Sequence, residues 1–190
     1  MLERVPRSPR DTSAGLFHVF AHGLWAVPML YRDDLDRIEF LRQLAYATGK
    51  TNSICVAYCL MANHYHLILQ VKEGALPAAM HLLNRHYARR FNRAHGLRGH
   101  VLFDRYGARR IVDELDLLDT FSYLARNPLA AGQCVEPAAH RWSSYAETVG
   151  LAARSFVDPS LVLVAAGRLS SDPVSALRRR VERPVPGTGL

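Results

Sequence analysis

The sequence predicts an α+β fold of the ferredoxin-like, split βαβ kind: a central antiparallel sheet, helices on one side, and a C-terminal helical extension. Three observations predict it. Runs of period two and period 3.6 follow one another in the order strand, helix, strand, strand, helix, strand, which is the split βαβ order. The 190 residues are 49% hydrophobic and 22% charged, the balance of one ordinary globular domain with a real core. Gly23, Asp33, Gly49, Gly96 and Asp113 stand at joints between the runs.

Residues 1–14 are rich in Arg, Pro and Ser and read as a loose basic arm. Leu16–His22 (LFHVFAH) alternates as a first strand, with Gly23 after it; His18 and His22 share one facing and are either ordinary polar-face residues or site lining. Asp33 and Asp34 offer caps to the helix that follows, whose apolar stripe reads as Ile38, Leu41, Leu44 and Ala45, with Gly49 closing it. Thr51–Cys59 (TNSICVAYC) is a second strand. The even spacing of Cys55 and Cys59 places both on one face. Met61–Gln70 (MANHYHLILQ) is its antiparallel neighbour, joined by a short connection or a bulge.

Gly74–His95 is a long helix with the stripe Met80, Leu83, Tyr87, Phe91 and Ala94. Arg85, Arg89 and Arg93 recur every four residues on it. Like charges at that spacing repel by a few tenths of a kcal/mol per pair, which a counter-anion relieves; a merely solvated face is the plain alternative. Val101–Val112 is a loop and then a strand, where Arg105, Arg109 and Arg110 stand among Phe103 and Tyr106, a mixture suited to single-stranded nucleic acid. Asp113 caps the next helix, which Pro128 stops. Its core face is Leu117, Leu118, Phe121, Leu124 and Ala125, and its polar stripe is Asp116, Thr120, Tyr123 and Asn127. A proline turn and short helix follow within 136–150, with Trp142 on the core; apolar and basic helices lie at 158–167 and 175–180. The organisation expected is a basic arm (1–14), one domain (15–150), a helical extension (151–180) and a disordered tail (181–190).

Net charge is +7, and of the 24 basic residues only Lys50 and Lys72 are lysine. Arginine forks match phosphate in two-point geometry, so a polyanionic partner is favoured, although a GC-rich genome also enriches arginine. Three cysteines, few and in apolar settings, point to a reducing compartment and away from a disulfide scaffold. The N-terminus has no signal-peptide core, and no apolar run approaches the ~20 residues of a membrane span. The expectation is a cytoplasmic protein with no membrane partner.

His64 and His66 are the candidate centre. Alternation puts both on one strand face with Ile68 and Gln70, roughly 6.5–7 Å apart along the backbone, close enough for two ring nitrogens to converge on one ion. A His-x-His pair alone is often just two strand histidines. Tyr123 and Asn127 are i and i+4 and project side by side, yet a polar-face tyrosine is usually a surface residue and a helix-end asparagine usually a cap.

Together these segments resemble a known family. MANHYHLIL is similar to the Met-Pro-Asn-His-x-His-hydrophobic signature of single-tyrosine HUH transposases, above all the REP-associated tyrosine transposases. The resemblance continues through FNRAHGLRGHVLFDRYGARRI, YLARNPLAAG and RWSSY, spanning roughly residues 16–165. It implies that His64 and His66 bind a metal, that Tyr123 is the nucleophile, and that Asn127 completes the metal site. It also implies Mg²⁺ or Mn²⁺ in use, a single-stranded DNA partner folded as hairpin-forming repeats, and a monomer rather than a homodimer. The implied activity is nicking and rejoining of DNA through a 5′-phosphotyrosine. Arg85, Arg89, Arg93, Arg105, Arg109 and Arg110 would hold the backbone. Ala62 departs from the signature's proline, and Ala21-His22-Gly23 stands where relatives often show Arg-Gly. Two other functions fit less of the pattern: a binding module of this fold without chemistry, and a metal-dependent hydrolase using water.

Overall fold

A computed structural model describes residues 11–24, 29–102, 105–153 and 155–182. The first ten residues, the last eight and Phe103 therefore lie outside the described residues.

Four strands, β1 (Gly15–His22), β2 (Ile54–Leu60), β3 (His64–Val71) and β4 (Gly107–Ile111), form one sheet in the order β2-β3-β1-β4. Every neighbouring pair is antiparallel. This is the split βαβ topology: β3 returns from β2 through the tight Met61–Asn63 connection and inserts between the two strands that α1 joins. Residues 142–144 continue the β2 edge, where Leu60 N donates to Trp142 O at 2.8 Å and Ser144 N to Tyr58 O at 3.0 Å. That pairing covers an edge that would otherwise be open to other strands.

Helices α1 (Asp34–Lys50) and α2 (Ala75–His95) lie together on one side of the sheet, as the sequence pattern predicts. Their core holds Phe17 and Val19 of β1, Tyr65, Leu67 and Leu69 of β3, and Phe40, Leu44, Leu83, Tyr87 and Phe91 of the helices. The buried side of α1 is Phe40, Leu44 and Ala47 rather than the expected Ile38–Leu41–Leu44–Ala45 stripe, and Ile38 is 42% exposed. Both stripes have helical spacing and share Leu44. The aromatic cluster of Tyr31, Tyr65 and Tyr87 decides between them, because Phe40 completes it. Ala94, expected on the α2 stripe, is exposed for the same reason: the stripe ends at Phe91. Asp36 is buried between the two helices and accepts from Arg32 N at 2.8 Å and His95 Nε2 at 2.9 Å, tying the start of α1 to the end of α2.

The other face of the sheet carries α3 (Glu114–Ala130), then a 3-10 turn (Pro137–Ala139) and α4 (Tyr145–Thr148), α5 (Ser160–Gly167) and α6 (Pro173–Val181). Leu117, Leu118, Phe121, Leu124 and Ala125 of α3 are all buried there, together with Val162 and Ala166 of α5 and Leu177 and Val181 of α6. Pro128 does not stop α3; the helix runs on to Ala130. Proline removes one N–H, and so near the helix end the loss is confined to a single ladder bond.

Cys55 and Cys59 point to opposite faces, contrary to their even spacing. Val56 is an extra residue between Cys55, paired with Leu69, and Ala57, paired with Ile68. This bulge flips the alternation, so Cys55 joins the α1–α2 core and Cys59 the α3 core. Among the described residues no helix is long and apolar enough to cross a membrane.

Candidate active site

Four histidines lie on the α3 side of the two central strands. His22 pairs directly with His64 across β1 and β3, and their rings stack at 4.8 Å. One step further in, His18 and His66 are diagonal neighbours, with Nε2 of His18 3.0 Å from Nδ1 of His66. The His64 and His66 rings stand 5.0 Å apart, nearly perpendicular. His22 is exposed and His64 half-buried, whereas His18 and His66 are buried, so the site opens toward the His22–His64 end.

The third element arrives from α3. The Tyr123 ring stands 5.3 Å from His66 and 6.0 Å from His18, edge-on to both, and the residue is 53% exposed. Tyr123, on the polar stripe of α3, thus meets the sheet's histidine face. Thr120 is buried, though the sequence pattern leaves it on a polar side. Asn127 lies one turn beyond Tyr123, its Nδ2 buried without a hydrogen-bond partner among the described residues.

Burial governs the charge of the site. Desolvation, reinforced by the Arg109 charge, lowers His18 to about 4. Desolvation and His22 lower His64 to about 4, and desolvation with the three neighbouring histidines lowers His66 to about 3. All three rings are neutral at pH 7, and their lone pairs are not contested by protons. The effect on folding has a definite sign. From the ordinary imidazole value near ~6.5 down to about 4, the unfolded chain binds protons that the folded chain refuses. Stability is full above pH ~6.5, declines as pH falls, and levels off below about 3 to 4. Urea unfolding at pH 7.0 and 4.5 checks this: the midpoint falls at the lower pH, and less so when His66 is replaced by Gln.

His64, His66 and Asn127 are the groups that could hold a cation. His64 Nδ1 donates to Asn63 Oδ1 at 2.7 Å, leaving its Nε2 as a lone pair. His66 Nε2 is buried without a hydrogen-bond partner among the described residues. Rotation of the Asn127 amide presents either oxygen or nitrogen, and the orphaned position suits an oxygen ligand. Among the described residues no three His, Cys, Asp or Glu side chains are arranged around a metal position. Two imidazole nitrogens and one amide oxygen would leave coordination positions that phosphate oxygens and water could fill. Asn63, which the sequence marks only as a turn residue, is the orienting partner of His64.

The expected arginines are not brought together. Arg109 faces α3, where its fork holds Asp116 at 2.8 Å through both nitrogens and Thr120 Oγ1 at 2.6 Å. It braces β4 against the helix that carries Tyr123. Arg110 points to the other face, over the Phe17 ring at 5.4 Å, and donates to Ala14 O at 2.8 Å. Arg85 and Arg105 line one hollow with Asn84 and Tyr106, and Arg89 and Arg93 line another with Gln43, His86 and Arg90. Arg85, Arg89 and Arg93 are on α2, across the sheet from the histidines, so three sequence-adjacent turns do not make one surface with the site. Phe20 is a neighbour that the sequence pattern leaves unremarked. Its ring lies 6.2 Å from His66 and over Gly107, where a Cβ would stand 2.5 Å from the ring, so any side chain at 107 would displace Phe20.

No family model matches the chain, and no curated protein matches it. Among solved structures, a REP-associated tyrosine transposase bound to a REP hairpin superposes with a TM-score of 0.62 at 18% identity, covering 83% of this chain and 96% of that one. A transposase described as putative, from Deinococcus radiodurans, gives a TM-score of 0.43 at 14% identity over 68% of this chain and 98% of that one. The chain thus shares the α+β fold of the hairpin-bound REP-associated tyrosine transposase.

Proposed function

We propose that this chain nicks and rejoins single-stranded DNA in the manner of a REP-associated tyrosine transposase, with Tyr123 as the nucleophile. The observation that carries the reading is the approach of Tyr123 to His66 at 5.3 Å, across the one sheet face that also holds His64. Residues 57 positions apart in the chain meet there in a half-open site, and the shared fold supports the same assignment.

The Tyr123 hydroxyl oxygen attacks the phosphorus of a phosphodiester. A new tyrosyl O–P bond forms, the P–O3′ bond breaks, and the phenolic proton ends on the departing 3′-oxygen. The product is a 5′-phosphotyrosine and a free 3′-hydroxyl. Because the new link is itself a phosphoester, attack by a 3′-hydroxyl reverses the step and reseals or transfers the strand. A divalent ion such as Mg²⁺ or Mn²⁺, held by His64, His66 and Asn127, would withdraw charge from a non-bridging oxygen. Edge-on packing against His66 and His18 holds the Tyr123 ring beside the histidines, where its hydroxyl would reach a bound phosphodiester. Arg109 keeps α3 in place through Asp116 and Thr120. The hollows at Arg85–Arg105 and at Arg89–Arg93 lie away from the histidines and would take hairpin backbone distant from the scissile phosphate, since phosphates match guanidinium forks.

A covalent-trapping experiment tests this. Labelled single-stranded hairpins from beside the protein's own gene are incubated with the protein and Mn²⁺ or Mg²⁺, then resolved on a denaturing gel. A shifted protein–DNA band, lost in EDTA, is expected. Cleavage without that band points to water as the nucleophile. Binding with neither cleavage nor band points to a binding module without chemistry.

A further inference from the structure

We propose that His18 is a positioning residue for His66: its Nε2 accepts a hydrogen bond from His66 Nδ1–H and so leaves the His66 Nε2 lone pair directed into the site. The inference rests on the proposed cation-binding role of His64 and His66 and extends it to a residue on another strand.

A hydrogen bond between two imidazoles uses one proton, and its direction determines what the far nitrogen of His66 presents. The two rings are diagonal neighbours across β1 and β3, both buried, with 3.0 Å between His18 Nε2 and His66 Nδ1. If His66 donates, its Nε2 carries a lone pair. If His18 donates, His66 Nε2 carries a hydrogen and repels a cation. The neighbouring ring argues for the first arrangement. His64 Nδ1 meets Asn63 Oδ1, which only accepts, so His64 Nε2 is a lone pair. His66 stands 5.0 Å away, its own Nε2 buried and without a partner among the described residues. The two rings present matched lone pairs only when both are Nδ1–H tautomers, each with its own acceptor: Asn63 for His64, His18 for His66. An outer acceptor of this kind fixes both tautomer and ring angle of a metal-binding histidine.

Two readouts other than nicking test the proposal. In the metal-free protein, ¹⁵N imidazole spectra at pH 7 are expected to show His66 as the Nδ1–H tautomer, and His18 likewise, with its Nε2 unprotonated. Mn²⁺ binding, followed by the loss of the free-ion paramagnetic resonance signal, is expected to weaken roughly 10–100-fold in His18→Leu. It is expected to return to within a few-fold of the parent in His18→Gln, whose amide oxygen sits near the lost Nε2. Circular dichroism and thermal midpoints establish that both variants fold. An Nε2–H tautomer at His66 overturns the proposal, as does equal Mn²⁺ affinity in the parent and His18→Leu. Failure of the parent protein to bind Mn²⁺ overturns the cation reading and this inference with it. The two failures are distinguishable, because the metal-free spectrum reports the direction of the His18–His66 bond whether or not the ion binds.

Discussion

Replacing Tyr123 by Phe is expected to abolish the covalent DNA adduct, with at least a ~10³-fold loss of nicking, while hairpin affinity stays within about twofold of the parent. The change removes one oxygen and keeps the ring. The contacts that place the ring, to His66 at 5.3 Å and His18 at 6.0 Å, are between ring faces and edges and do not involve the hydroxyl. The residue is 53% exposed, so folding should change by less than ~0.5 kcal/mol. Loss of chemistry therefore cannot be assigned to loss of structure. The two measurements are a denaturing gel for the adduct and a native binding titration on the same hairpin. Retention of nicking by the Phe variant would remove Tyr123 from the mechanism and shift the reading to water as the nucleophile.

The second large effect concerns the other side of the sheet. Phe40→Ala is expected to cost about 3–5 kcal/mol, lowering the thermal midpoint by roughly 6–20 °C for a domain of this size. Phe40 is fully buried and its ring meets Tyr65 at 4.8 Å, Tyr87 at 5.2 Å and Tyr31 at 5.5 Å. Removing it opens a cavity that the surrounding rings cannot easily fill, because two of the three are held elsewhere: Tyr65 donates to Asn84 Oδ1 and Tyr87 to Leu30 O. Phe40→Leu should recover part of the loss. Differential scanning calorimetry reads both. By contrast Ile38→Ala, on the stripe that periodicity alone would choose, should cost under ~1 kcal/mol, since Ile38 is 42% exposed. The Phe40→Ala protein should still nick at low temperature, because its cavity lies across the sheet from Tyr123.

What the chain determines locally was legible from residues alone. The split βαβ order, the caps at Asp33 and Asp113, the α3 core face, and the shared facing of His64 and His66 all follow from periods of two and 3.6 and from turn chemistry. These features depend on interactions within a few residues, which a short window of sequence contains. The bulge at Val56 was not legible, since one extra residue in a ladder leaves no mark in an apolar run yet reverses the facing of everything after it. Nor was the α1 face, where two stripes compete and only the aromatic cluster from β3 and α2 chooses.

The site divides the same way. Its proposed reacting groups could be named from motifs, but their supporting groups could not. His18 meets His66 across 48 residues of chain because β1 and β3 pair in one register; a two-residue slip would put another side chain beside His66. Arg109 looks like a DNA contact beside Arg105 and Arg110, and becomes a brace for α3 only when Asp116 comes within 2.8 Å. Local patterning determined which groups this protein possesses and, outside β2 and α1, which way each faces along its own element. Tertiary structure alone decided which of them touch, because burial and strand register set the partners of a side chain and neither can be computed from its neighbours in sequence.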